Sequence, residues 1–151
     1  MNMKKINVVL IGVGHDHAPA VYSSVMKQEI FDVVGFAVLE SERTVFHDRI
    51  ESYKKYIRYF TVEEALNCSG LDAAIIETEE EYLTKYSIMA IEKGLSVHEG
   101  GLQHSVIRST TYQEAQKLNW WNSAEKTDSE MFSRYDNMMR GFAEKVMEKN
   151  T

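Results

Sequence analysis

With 151 residues the chain has the size of one domain, enough to bury roughly two-thirds of the surface that its unfolded form exposes. Its 44% hydrophobic and 26% charged residues exclude a disordered polymer, and no apolar run is long enough to span a membrane. The 17 basic and 23 acidic side chains leave a net charge of −6, a balance that repels phosphate backbones and speaks against nucleic acid as a partner.

The opening, Met1-Asn2-Met3-Lys4-Lys5, runs directly into Ile6-Asn7-Val8-Val9-Leu10-Ile11, a β-branched run that reads as a strand buried on both faces. No signal-peptide pattern opens the chain and the lone Cys68 excludes an internal disulfide framework, so a cytoplasmic location is the default expectation. Residues 18–28 carry Val21, Val25 and Met26 at helical spacing, with Pro19 suited to the first turn and Asp16 placed to cap it. Residues 33–39 predict a second apolar strand, 41–53 a polar helical stretch, and 57–60 a short strand. Thr61 and Glu64 form a capping box for a short helix that reaches Asn67. Residues 71–76 predict another buried strand, followed by a second capping box, Thr78 with Glu81, for a helix that stops at Gly94. A fifth strand is expected at 95–98 and a further helix at 110–118.

Strand and helix thus alternate five times over short connections, the pattern of a parallel sheet with helices on both faces. The expected fold is a three-layer α/β domain, Rossmann-like, over residues 1–120. Residues 121–151 supply a linker and a C-terminal amphipathic helix, on which Met131, Tyr135, Met138, Phe142 and Val146 form one apolar stripe. That stripe either docks on the chain's own domain or, rich in Met and aromatic residues, offers a homodimer surface.

Gly12-Val13-Gly14 lies between the first strand and the first helix, where a phosphate-binding loop belongs. Gly12 permits the tight turn, and Gly14 lets a diphosphate approach the backbone N–H groups at the helix N-terminus.

Over residues 5–118 the chain resembles the N-terminal part of the glucose–fructose oxidoreductase/inositol dehydrogenase/MocA (Gfo/Idh/MocA) family. The likeness is carried first by Lys5-Ile6-Asn7-Val8-Val9-Leu10-Ile11-Gly12-Val13-Gly14, then by Phe31-Asp32-Val33-Val34-Gly35-Phe36-Ala37 and Glu42-Arg43. It continues through Tyr59-Phe60-Thr61-Val62-Glu63-Glu64-Ala65-Leu66, Leu71-Asp72-Ala73-Ala74-Ile75-Ile76 and Ala90-Ile91-Glu92-Lys93-Gly94-Leu95-Ser96-Val97. Ser133-Arg134-Tyr135 resembles the Arg-Phe element that opens the family's second domain. The resemblance implies NAD or NADP as cofactor, a dinucleotide held by Gly12, Val13, Gly14, His15, Asp16, Glu40 and Thr78. It also implies oxidation or reduction of sugars, polyols or related small molecules with a second, antiparallel-sheet domain. A chain ending at Thr151 is expected to lack that domain.

Four departures from the family pattern carry physical consequences. His17 stands at the third glycine position and is expected to crowd the approach of helix to strand. Val38 stands where the ribose-binding acid is expected; the nearest carboxylate, Glu40, either reaches the ribose or is a solvated turn residue. The turn after the fourth strand is Glu77-Thr78-Glu79-Glu80-Glu81. Its acids complement a helix dipole, yet oppose an anionic cofactor by about 1 kcal/mol per contact pair in water. The Glu-Lys-Pro motif is replaced by Val97-His98-Glu99-Gly100-Gly101-Leu102, without the lysine that in the family assists proton transfer. His98 and His104 are the replacements to consider, but lone histidines there more often pack or face solvent, so no catalytic residue is assigned.

His15, Asp16, His17, His98, Glu99 and His104 could converge as metal ligands at one sheet edge, but no HExxH or CxxC spacing supports this and no metal ligand is assigned. Cys68 has no adjacent base, and Lys54-Lys55 and Arg58 among Tyr53, Tyr56 and Tyr59 read as ordinary helix surface. The sequence therefore predicts an NAD(P)-binding oxidoreductase domain, truncated or degenerate, without catalysis of its own. The alternative is a non-catalytic regulatory or assembly module that keeps the fold.

Overall fold

The computed structural model describes residues 5–99, 106–107 and 128–149, with side chains for 5–99 and 135–149. In chain order the elements are β1 (Ile6–Ile11), α1 (Ala18–Lys27), β2 (Phe31–Ala37), α2 (Glu42–Val45), α3 (His47–Lys54), β3 (Tyr59–Phe60) and α4 (Val62–Leu66). There follow β4 (Ala73–Ile76), α5 (Glu80–Glu92), β5 (Ser96–Glu99), β6 (Val106–Ile107) and α6 (Asp128–Lys149). They build one sheet in the order β3-β2-β1-β4-β5-β6. The first five strands are parallel, and β6 joins antiparallel, with His98 opposite Ile107. The order reverses between β1 and β4, so the crevice above their carboxyl ends is the topological switch point, where sheets of this kind bind ligands. The three-layer α/β expectation holds; the two-residue β6 carries too little periodicity to be read from sequence.

Alternating side chains split the core in two. On one face Val8, Leu10, Phe36 and Ile75 pack against Val21, Tyr22 and Val25 of α1, Ile50 of α3, and Met139, Phe142 and Val146 of α6. On the other, Val9, Ile11, Ala74, Ile76 and Val97 pack against Ala65 and Leu66 of α4 and Leu83 and Ala90 of α5. Burial on both faces explains the unbroken apolar runs of β1 and β4. Tyr135, Met138, Phe142 and Val146 of the α6 stripe therefore lie inside the chain's own core, while the side chain of Met131 lies outside the described residues. Ser24 Oγ on α1 donates to Asp136 Oδ1 at 2.6 Å and Lys27 pairs with the same carboxylate at 2.8 Å. Asn137, Arg140 and Glu144 form the exposed side of α6.

Local signals held where no tertiary contact competed. The Thr61–Glu64 capping box is made in both directions, at 3.1 and 2.9 Å. The Thr78–Glu81 box is not: α5 is capped by Glu79 without a side-chain bond, and the fully buried Thr78 donates its hydroxyl to Glu79 O at 3.0 Å. Packing against Gly12 keeps Thr78 out of the capping role, and the helix starts one residue later. Asp16 does not cap α1 either; it is exposed, and His17 is the capping residue, again without a side-chain bond. Strand β2 spans Phe31–Ala37 and so ends earlier than expected, and the stretch 41–53 divides at Phe46 into α2 and α3. His104 and the helix expected at 110–118 lie outside the described residues.

Candidate functional site

The glycine loop leaves β1 with Gly12 at φ +89°, where a Cβ would stand 2.8 Å from Thr78 Cα and N, so only glycine lets the ends of β1 and β4 close up. Gly12 N donates to Ala37 O at 2.8 Å, and the buried Tyr22 hydroxyl donates to Gly12 O. The next two amides converge: Val13 N and Gly14 N both donate to Glu42 Oε2, at 2.8 and 2.6 Å. The other carboxylate oxygen, Oε1, accepts from Leu39 N at 2.7 Å. Successive N–H groups facing one concavity form an oxyanion-holding arrangement, and here the chain's own carboxylate fills it with charge-assisted bonds. Glu42 is fully buried. Burial pushes its carboxyl up; the N–H groups of Leu39, Val13 and Gly14 pull it down, and neighbouring Glu79 raises it again. From α3, Arg49 Nη1 donates to Val13 O at 2.5 Å, with its guanidinium over the Phe46 ring. His15 N donates to Glu77 O at 2.9 Å, so the N–H groups of Gly12 through His15 are all engaged within the chain.

Beside the loop, the same edge carries buried polar groups that make no hydrogen bond among the described residues. Neither oxygen of the fully buried Glu77 makes a hydrogen bond, and burial pushes its carboxyl up to about 8. His15 Nδ1 lies 3.4 Å from Glu77 Oε2, but that nitrogen already accepts from His17 N at 3.1 Å. On β5, neither ring nitrogen of His98 is hydrogen-bonded; burial, then His15, lowers it to about 3, and its ring packs edge-on against Phe142. His15 is itself lowered by burial and by His17, against Asp16 and Glu80. The ring of His17 stands 5.1 Å from that of His15 and 5.8 Å from that of Tyr135 of α6. Glu99 accepts from the Ser87 hydroxyl. Among the described residues no three His, Cys, Asp or Glu side chains are grouped to hold a metal ion.

Gly12, Val13, Gly14, His15 and Thr78 therefore meet at the switch point, while Asp16 faces solvent and Glu40, 88% exposed, pairs with Arg43 at 3.4 Å. The backbone of the loop fits an oxyanion, and the carboxylate of Glu42 occupies that place. Glu42 covers both convergent amides, and Glu42 Oε2 and Glu79 Cγ each come within 2.8 Å of where a Gly14 Cβ would be. Sequence reasoning missed Glu42. Its bond to Leu39, three residues back, has a local signature akin to a capping box. Its reach over 28 and 29 positions to the loop has none.

A glycine loop at the reversal of a 3-2-1-4-5 sheet defines a Rossmann-type α/β domain. No family model matches the chain, and no curated protein matches it. Among solved structures it is similar to KijD10, a 3-ketoreductase from Actinomadura kijaniata in complex with TDP-benzene and NADP, at 15% identity over 76% of this chain and 34% of that one, with a TM-score of 0.53. It is similar also to a protein from Desulfitobacterium hafniense assigned as an NADPH-dependent oxidoreductase, at 15% identity over 93% and 33% of the two chains, TM-score 0.50. A third is YvaA from Bacillus subtilis, assigned as an oxidoreductase, at 13% identity over 66% and 28%, TM-score 0.50. The chain spans about a third of the length of these proteins, and at such identity what it shares with them is the fold.

Proposed function

We propose that the chain is the dinucleotide-binding module of an NAD- or NADP-dependent oxidoreductase of the Gfo/Idh/MocA kind, and that it supplies no catalytic group of its own. One observation carries this reading: Val13 N and Gly14 N meet on a single anionic oxygen at the switch point of the sheet. In a sheet of this order the oxyanion expected there is a diphosphate. The complex of KijD10 with NADP fits the same reading. A bound nicotinamide would carry hydride; the part played by this chain is to grip the diphosphate with backbone amides. His98, lowered to about 3 and enclosed, carries no imidazolium proton to donate near neutrality, so general acid catalysis is not assigned to it. A cytoplasmic location belongs to the same proposal.

The test is a thermal-shift and calorimetric series with NAD, NADH, NADP and NADPH. A ligand at a hundred times its Kd stabilises the fold by about 2.7 kcal/mol. No response to any of the four would favour the second reading, a non-catalytic regulatory or assembly module. The occupation of the loop amides by Glu42 is the specific observation on that side.

A further inference from the structure

We propose that Glu42 is a built-in competitor for the diphosphate: the loop is closed by the chain's own carboxylate, and a dinucleotide binds only as Glu42 leaves with α2. The inference rests on the reading of the loop as a diphosphate site and adds how that site is regulated. Three features carry it. The carboxylate uses the amides a diphosphate would need, one oxygen receiving Val13 N and Gly14 N and the other Leu39 N. The element bearing it is short, a four-residue helix whose N-cap Ser41 makes no side-chain cap bond and which ends where Phe46 leaves helical geometry. Arg49, anchored on Val13 O, remains beside the loop when Glu42 is gone and supplies a cation for the incoming anion. Glu79 Cγ lies at the same glycine, so the resident carboxylate is held against a like charge.

A buried acid on backbone amides is either a staple that shapes the loop or a plug that blocks it, and the two differ in sign. Removing a staple weakens ligand binding; removing a plug strengthens it. The full chain and its Glu42→Gln and Glu42→Ala variants are titrated calorimetrically with NAD, NADP and inorganic diphosphate, with circular-dichroism melts to establish folding. A plug lowers Kd about tenfold or more in both variants. In the wild type, saturating NADP also speeds hydrogen exchange at Leu39 N, which donates to Glu42. Variants that bind no more tightly than wild type overturn the plug and leave the dinucleotide reading standing. Absence of binding by all three proteins overturns the dinucleotide reading and the plug with it. Should the variants fail to fold, unchanged protection at Leu39 in the saturated wild type overturns the plug.

Discussion

At the residue scale, the loop owes its shape to side chains that reach it from elsewhere. Tyr22, in the middle of α1 and fully buried, donates its hydroxyl to Gly12 O. Burial, then Glu77 and Glu42, pushes the phenol well above its ordinary value, so it is a donor at neutral pH. Tyr22→Phe keeps the ring volume and orphans a buried carbonyl. The expected cost is about 1–2 kcal/mol in denaturant melts, with m unchanged; a loss near zero would mean the hydroxyl does not support the loop. Gly12, Val13 and Gly14 were legible as a loop because glycine spacing between strand and helix is a local signal. Glu42 was not, since its partners are fixed by where β1 and β2 end side by side, at Ile11 and Ala37.

At the element scale, α6 shows how packing takes up a stripe that periodicity only marks out. Its stripe fitted a dimer surface as well as an internal one; the structure buries Met139, Phe142, Ala143 and Val146 against the sheet face that α1 also covers. Phe142 also packs on His98, closing the polar edge from the side of β5. Phe142→Ala is expected to cost about 3–5 kcal/mol, the range for an aromatic removed from a closed core. Chemical denaturation measures it, and a cost below about 1 kcal/mol would show that α6 does not belong to that core. Capping divides along the same line: the exposed Thr61–Glu64 pair behaves as its spacing predicts, whereas Thr78 is claimed by the sheet edge.

At the scale of the whole molecule, the buried groups that make no hydrogen bond among the described residues are expected to shape how stability follows pH. Glu77 has a folded value of about 8 against an ordinary 4.5, so the folded chain keeps a proton that the unfolded chain releases. Its contribution is complete below about 4.5 and is lost as pH rises toward 8. His98 has a folded value of about 3 against 6.5, so its contribution is complete above about 6.5 and is lost as pH falls. Between those ordinary values the slopes, each about 1.4 kcal/mol per pH unit, oppose one another. His15 and Glu42, shifted down and up respectively, add to the same opposition. Melting temperature is therefore expected to peak between about pH 4.5 and 6.5 and to fall on both sides. Glu77→Gln should remove most of the alkaline fall and His98→Phe most of the acid fall; a wild-type profile rising steadily to pH 8 would contradict both assignments.

The sequence by itself determined the class of fold, because strand runs buried on both faces, helical spacing and glycine stops are written over a few residues each. It also placed Gly12, Val13 and Gly14 at the right point of the chain. Only the tertiary structure decided what that loop holds: Glu42 lies 28 and 29 positions away, and its carboxylate reaches the amides only once β1 and β2 lie side by side. The same holds for the enclosure of Glu77 and His98, since desolvation depends on what every other element covers and has no local pattern to read.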